Sequence, residues 1–161
     1  MTSLGFGRHD HAACIGDALS AAEEACTARK LRFTPVRRRV LEMLLEDHRA
    51  LGAYDILDRL AREGRGAQPP VAYRALDFLV SHGFAHKIER LNAYVACAHP
   101  GEGHTPAFMI CRGCASVAEA SSSQSAGTLG QAARDAGFRI ERTVVEAEGL
   151  CPACLAADVP A

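Results

Sequence analysis

Residues 69–97 read PPVAYRALDFLVSHGFAHKIERLNAYVAC. Pro69-Pro70 suits the first turn of a helix, where no backbone N–H is needed. Val71, Ala75, Leu76, Leu79 and Val80 then recur at helical spacing, and Gly83 supplies a residue that ends a helix in the left-handed conformation. The stretch that follows, residues 84–97, is apolar and aromatic and reads as a strand hairpin. A helix running straight into a hairpin predicts the last helix and the wing of a winged helix-turn-helix. In that architecture the N-terminal part of the last helix enters the DNA major groove. Tyr73 and Arg74 are left outside the apolar stripe there, and Arg is suited to guanine edges or phosphate. The hairpin also carries His86 near its start and Cys97 at its end, two metal-ligand side chains that folding does not require.

Upstream, residues 12–29 are rich in helix formers, with Ile15, Leu19, Ala22 and Cys26 on one face. Cys14 and Cys26 are expected to pack as small apolar residues. Thr34-Pro35 marks the start of a second helix, by cap and first-turn proline. Val36, Val40, Leu41, Leu44 and Leu45 give it an apolar stripe, with Arg37, Arg38 and Arg39 in its first turns. A third helix fits residues 53–62, with Tyr54 near its start and Ile56, Leu57 and Leu60 inward. Asp58 and Arg62 either pair along that helix or reach a neighbouring molecule.

Charge is distributed unevenly. Residues 29–90 hold thirteen Lys and Arg against eight acids, whereas residues 1–28 hold one against four and residues 91–161 four against seven. A basic middle between acidic ends predicts a local polyanion surface. No apolar run approaches the roughly 20 residues of a membrane span. The N-terminal residues lack the apolar core of a secretion signal, so a cytoplasmic location is expected.

Downstream of the hairpin, four of the seven cysteines decide the chemistry. Cys111-x-x-Cys114 and Cys151-x-x-Cys154 are two pairs spaced to grip one tetrahedral ion from tight turns. Between them the pattern predicts a Ser-rich turn, a helix at 124–136 and a strand at 138–148, after a strand over 107–111. Four thiolates leave no open coordination position, so this centre is expected to be structural zinc rather than catalytic. His86, Cys97, His99, His104 and Glu119 remain as candidates for a second site, although each alone has an ordinary structural explanation. A zinc-dependent hydrolase would need an open position and a base. A zinc-stabilised module without DNA binding would not need the basic middle.

With LRFTPVRRRVLEML, AYDILDRL, QPPVAYRALDFLVSHGFAHKIERLNAYVAC, HTPAFMICRGC and GLCPAC in view, the chain resembles the ferric uptake regulator (Fur) family, and within it the zinc uptake (Zur) branch. The resemblance covers roughly residues 12–155. It implies an α+β protein: an N-terminal winged helix-turn-helix DNA-binding domain over 1–92 (1–11 a flexible tail), a hinge at 93–98, and a C-terminal α/β dimerisation and metal-binding domain with structural zinc over 99–161. It implies a homodimeric, zinc-responsive transcriptional repressor of zinc uptake genes that binds a palindromic double-stranded DNA operator. It implies no enzyme activity, no small-molecule substrate and no membrane partner. Cys111, Cys114, Cys151 and Cys154 match the structural zinc ligands, and His86, Cys97, His104 and Glu119 match the regulatory ones, two zinc ions per monomer. His104 is preferred to His99 because it stands seven residues before Cys111. Tyr54 and Arg74 match DNA-contacting residues, with Tyr73 and Arg37 beside them. Val71 stands where the family has a hydroxyl, so that contact is not carried over. The alternative within the family is a regulator sensing iron, manganese or peroxide.

Overall fold

The computed structural model describes Phe6 and residues 11–65, 68–101, 103–122 and 127–158. The chain divides into two units, one of residues 7–101 and one of residues 102–161 that also takes in Phe6.

The first unit is four helices and a hairpin. Helix α1, His11–Ala28, buries Leu19, Ala22 and Cys26. Cys26 packs as expected, but Cys14 is exposed. Twelve residues of helix rotate it about 120° from Cys26, off the buried face. Helix α2, Pro35–Glu46, starts where Thr34 Oγ1 accepts the Arg37 N–H at 3.3 Å. Its core side is Val40, Leu41, Met43 and Leu44, with Val36 and Leu45 at the margin. Helix α3, Ala53–Arg62, buries Ile56, Leu57 and Leu60, and Asp55 accepts the Gly52 N–H at 3.1 Å. Helix α4, Pro69–Ser81, buries Ala72, Ala75, Leu76, Phe78 and Leu79. Val80, expected inside, is 36% exposed, and Phe78 takes the inward place.

Helix α4 ends in a Schellman turn. Phe84 N–H bonds to Leu79 O at 2.8 Å, Gly83 N–H to Val80 O at 3.2 Å, and Gly83 has φ +81°. A side chain at that φ would be strained, so the glycine is required. Strands β1, Ala85–Ile88, and β2, Ala93–Ala96, pair antiparallel, and Leu51 adds a bridge to Tyr94. Phe84, Ile88 and Tyr94 are buried, so the wing is seated on the helices.

The three consecutive arginines of α2 have three different fates. Arg38 pairs with Glu23 of α1. Arg37 lies 3.8 Å from the centroid of the Phe78 ring and donates to the Arg32 carbonyl. Arg39 meets Glu63 at 2.7 Å, Glu46 at 2.6 Å and Glu42 at 3.0 Å. This last cluster ties α2 to the residue after α3. The Arg39 hydrogen bond holds the Glu63 carboxyl below the usual glutamate range. A depressed folded-state pKa stabilises above the unfolded-state value, and that stabilisation is lost as pH falls through the folded one. Arg39→Ala leaves three carboxylates facing one another. Denaturant unfolding of the variant is expected to show a loss of about 1–3 kcal/mol. The loss should shrink in high salt and toward acid pH, where the carboxylates are screened or protonated. A loss that ignores both would mean packing alone.

The second unit is a sheet with two helices. Strand β3, Thr105–Cys111, lies between β4, Val117–Ser122, which is antiparallel to it, and β5, Val145–Gly149, which is parallel. Helix α5, Gly127–Asp135, makes the crossover, and α6, Pro152–Ala156, closes the unit. Two expectations change. The segment read as a Ser-rich turn begins with strand β4, and the strand expected from 138 starts only at Val145. Residues 124–126 of the expected helix lie outside the described residues. Phe108, Ile110 and Val117 form the small apolar face.

Candidate metal centres and nucleic-acid interface

The end of β3 and the turn after it present Cys111 and Cys114, and the N-cap and first turn of α6 present Cys151 and Cys154. Their four sulfurs all lie within 4.8 Å of one another. Cys114 Sγ and Cys151 Sγ are 3.7 Å apart. Two thiolates on one tetrahedral zinc stand about 3.8 Å apart, given Zn–S bonds of about 2.3 Å, so the set fits that ion. Gly113 is required for the approach: a Cβ there would meet Cys154 Sγ at 3.0 Å and Leu150 Cδ2 at 3.2 Å. The Cys151 N–H donates to Cys111 Sγ at 3.3 Å and lowers that thiol to about 6. Ser116 Oγ, 3.0 Å from Cys114 Sγ, lowers the second. Burial, followed by the crowding of the other sulfurs, pushes Cys154 up to about 12. A divalent cation relieves that crowding by making thiolate the favoured form of all four.

In the same unit, His104 precedes β3 and Glu119 lies on β4, opposite Phe108. Their side chains meet at 2.6 Å, Nε2 to Oε1, and are only 10% and 5% exposed. An imidazole and a carboxylate facing one another within a mostly buried site form a donor pair that zinc accepts.

In the first unit, the hairpin register sets His86 opposite Val95 and Ala85 opposite Ala96. Cys97 continues it, donating its N–H to Phe84 O at 2.9 Å. Antiparallel partners share a face, so His86 and Cys97 are diagonal neighbours on one side of the wing. Cys97 is buried and His86 half-buried. His99 follows on the loop beyond the wing, half-buried.

Helix α4 turns Tyr73 and Arg74 of its N-terminal half, and Asp77 beyond them, to solvent, and Tyr54 at the start of α3 is 78% exposed. Arg37, by contrast, is half-buried and engaged with Phe78. Asp58 and Arg62 pair within α3 at 2.6 Å.

Residues 28–148 match the ferric uptake regulator family. The chain is 41% identical over 138 residues to the zinc uptake regulation protein of Escherichia coli (strain K12), covering 85% of this chain and 81% of that one. The chain belongs to the ferric uptake regulator family. Within the family its likeness is to zinc uptake regulators. It superposes on the zinc uptake regulator complexed with zinc and DNA with a TM-score of 0.83 at 39% identity, covering 89% of this chain and 97% of that one. On holo XcZur the TM-score is 0.76 at 39% identity, covering 86% and 96%.

Against the family pattern, three residues around the thiolates carry no sequence signal of their own. Ser116 bonds to Cys114, and Leu150 and Phe6 pack against the cysteine cluster. Gly113 has a faint one, as the small residue inside a C-x-G-C turn.

Proposed function

We propose that this chain is a zinc-responsive DNA-binding transcriptional repressor that controls zinc uptake and homeostasis genes. The observation that carries this reading is the joint between α4 and the wing. The helix that offers Tyr73 and Arg74 to solvent ends at Ser81 and passes through a single glycine turn into the strand bearing His86. A ligand-bearing strand fused to the reading helix couples metal to DNA with few intervening bonds. The relatives named above, one of them complexed with zinc and DNA, support the same reading.

In this reading Cys111, Cys114, Cys151 and Cys154 hold a structural zinc. His86 and Cys97 of the wing join His104 and Glu119 of the C-terminal unit as regulatory ligands, giving two zinc ions per chain, and residues 93–98, the second strand of the wing and the two residues after it, act as the hinge. Zinc supplies a non-redox Lewis-acid centre, and the thiolate of Cys97 favours it over the harder Fe(II) and Mn(II). Binding at the second set stabilises one arrangement of the two units, and only its differential affinity for that arrangement drives repression.

A homodimer suits the C-terminal unit. Leu129, Phe138 and Val144 are 61%, 67% and 49% exposed and line one apolar groove with Ala132, Ala136 and Ile140. A two-fold dimer reads a palindrome with half-sites about one helical turn apart or a multiple of it. No helix among the described residues is long and apolar enough to cross a membrane, and the protein acts on DNA in the cytoplasm.

Selection from random duplex DNA at buffered zinc tests the reading. Palindromic sequences are expected to be enriched, and a zinc chelator is expected to abolish their retention. Enrichment that survives chelation would rule out zinc control. On the selected duplex, Arg74→Ala should weaken binding by about 1–3 kcal/mol while both zinc ions remain bound. Equal affinity of variant and wild type would remove Arg74 from the interface. In the same reading Tyr54 and Tyr73 contact phosphate or a base methyl, and Arg37, held against Phe78 and the Arg32 carbonyl, would have to leave both to reach a phosphate.

A further inference from the structure

Phe6 lies in a stretch, GFG at 5–7, where it is the one aromatic residue among small and polar neighbours. It is not exposed. It packs, with Leu150 and Cys114, against Cys111, Cys151 and Cys154. It also lines a groove floored by Met109, Ile110 and Cys111 of β3 and Ala147 and Gly149 of β5. Phe6 thus packs against the cysteine cluster and shares with Cys111 and Cys151 a groove that runs over β3 and β5. From within the unit, Leu150 and the close approach at Gly113 cover the sulfurs.

We propose that Phe6 is a lid on the four-cysteine centre that slows loss of its zinc and attack on its thiolates. An apolar cover around a metal centre limits water, chelator and oxidant access and keeps the local dielectric low. Phe6 shares its groove with Cys111 and Cys151, both buried, so these are the sulfurs the lid covers, whereas Cys114 is half-buried with Phe6 in place. The division of labour explains why a regulator benefits from it. One site must exchange zinc as availability changes, and the other must keep its ion through the same excursions. The proposal rests on the reading of the four cysteines as a zinc centre.

Zinc release from the full-length, zinc-loaded protein into excess chelator tests it. Wild type is expected to release one zinc fast and one slowly. Phe6→Ala should speed the slow phase roughly tenfold, the scale on which supporting residues tune metal sites, and leave the fast phase alone. Phe6→Leu should restore most of the delay. Iodoacetamide labelling gives a second readout. Cys111 and Cys151 should label faster in Phe6→Ala, while exposed Cys14 labels at an unchanged rate and serves as the internal control. An unchanged slow phase and unchanged labelling of Cys111 and Cys151 would overturn the lid. Absence of any slow phase in wild type would instead overturn the structural-zinc reading, and the lid with it.

Discussion

Cys114→Ser is expected to retain one zinc per chain instead of two and to lose the folding transition of the C-terminal unit. Apparent binding free energies for structural zinc are about 10–16 kcal/mol at neutral pH, comparable to or larger than the 5–15 kcal/mol that holds a whole domain together. This unit has little to set against the loss. Its sheet has three strands, and its buried apolar side chains among the described residues are few, with Phe108, Ile110 and Val117 the larger ones. The first unit has its own core, with Met43, Ile56, Leu60, Leu76 and Leu79 fully buried, and is expected to melt much as before. Hydrogen exchange distinguishes the two. Amides of β3 should lose protection in the variant, and those of α2 and α4 should keep it. Full protection of β3 at one zinc per chain would show that the thiolates are not what holds the unit.

Cys97→Ser is expected to leave the fold and the four-cysteine zinc intact and to raise the zinc concentration needed for DNA binding by roughly 10–100-fold. The backbone bond from Cys97 to Phe84 does not involve the side chain, so the wing closes as before. The lost thiolate is one of four proposed ligands, and coupling free energies between sites of 1–3 kcal/mol correspond to about 5–150-fold in affinity. Fluorescence anisotropy of the selected duplex across a series of zinc buffers measures the shift. If the midpoint stays with wild type, Cys97 is only a buried side chain. The comparison with Arg74→Ala separates the two roles, since that variant lowers affinity at every zinc concentration.

Local chemistry made the first unit readable in advance. Thr34-Pro35, Pro69-Pro70 and Gly83 are punctuation whose physics acts within a few residues, and the helices they bound lie within a residue or two of where they were expected. Where a partner decides, the sequence is quieter. Strand β4 contains Ala118, Ala120, Ser121 and Ser122, poor strand formers whose pairing is supplied by β3. The apolar alternation from Phe138 misleads for the converse reason: the pairing with β3 begins only at Val145. Arg37, Arg38 and Arg39 are chemically alike, and only the neighbours that folding brings to each distinguish an aromatic contact, a surface pair and a three-carboxylate hub. The four cysteines announce their site through spacing. His104 and Glu119 do not, because they stand fifteen positions apart and only a strand pairing brings them together.

The glycine turn at the end of α4 also makes the helix a lever. Its thirteen residues span about 20 Å. A tilt of about 10° where β1 begins would swing the far end by about 3.5 Å, close to the 3.4 Å rise of one base step. A rotation of the whole first unit about that corner, with α4 and the wing still packed in their common core, is thus enough to move Tyr73 and Arg74 by most of a base pair.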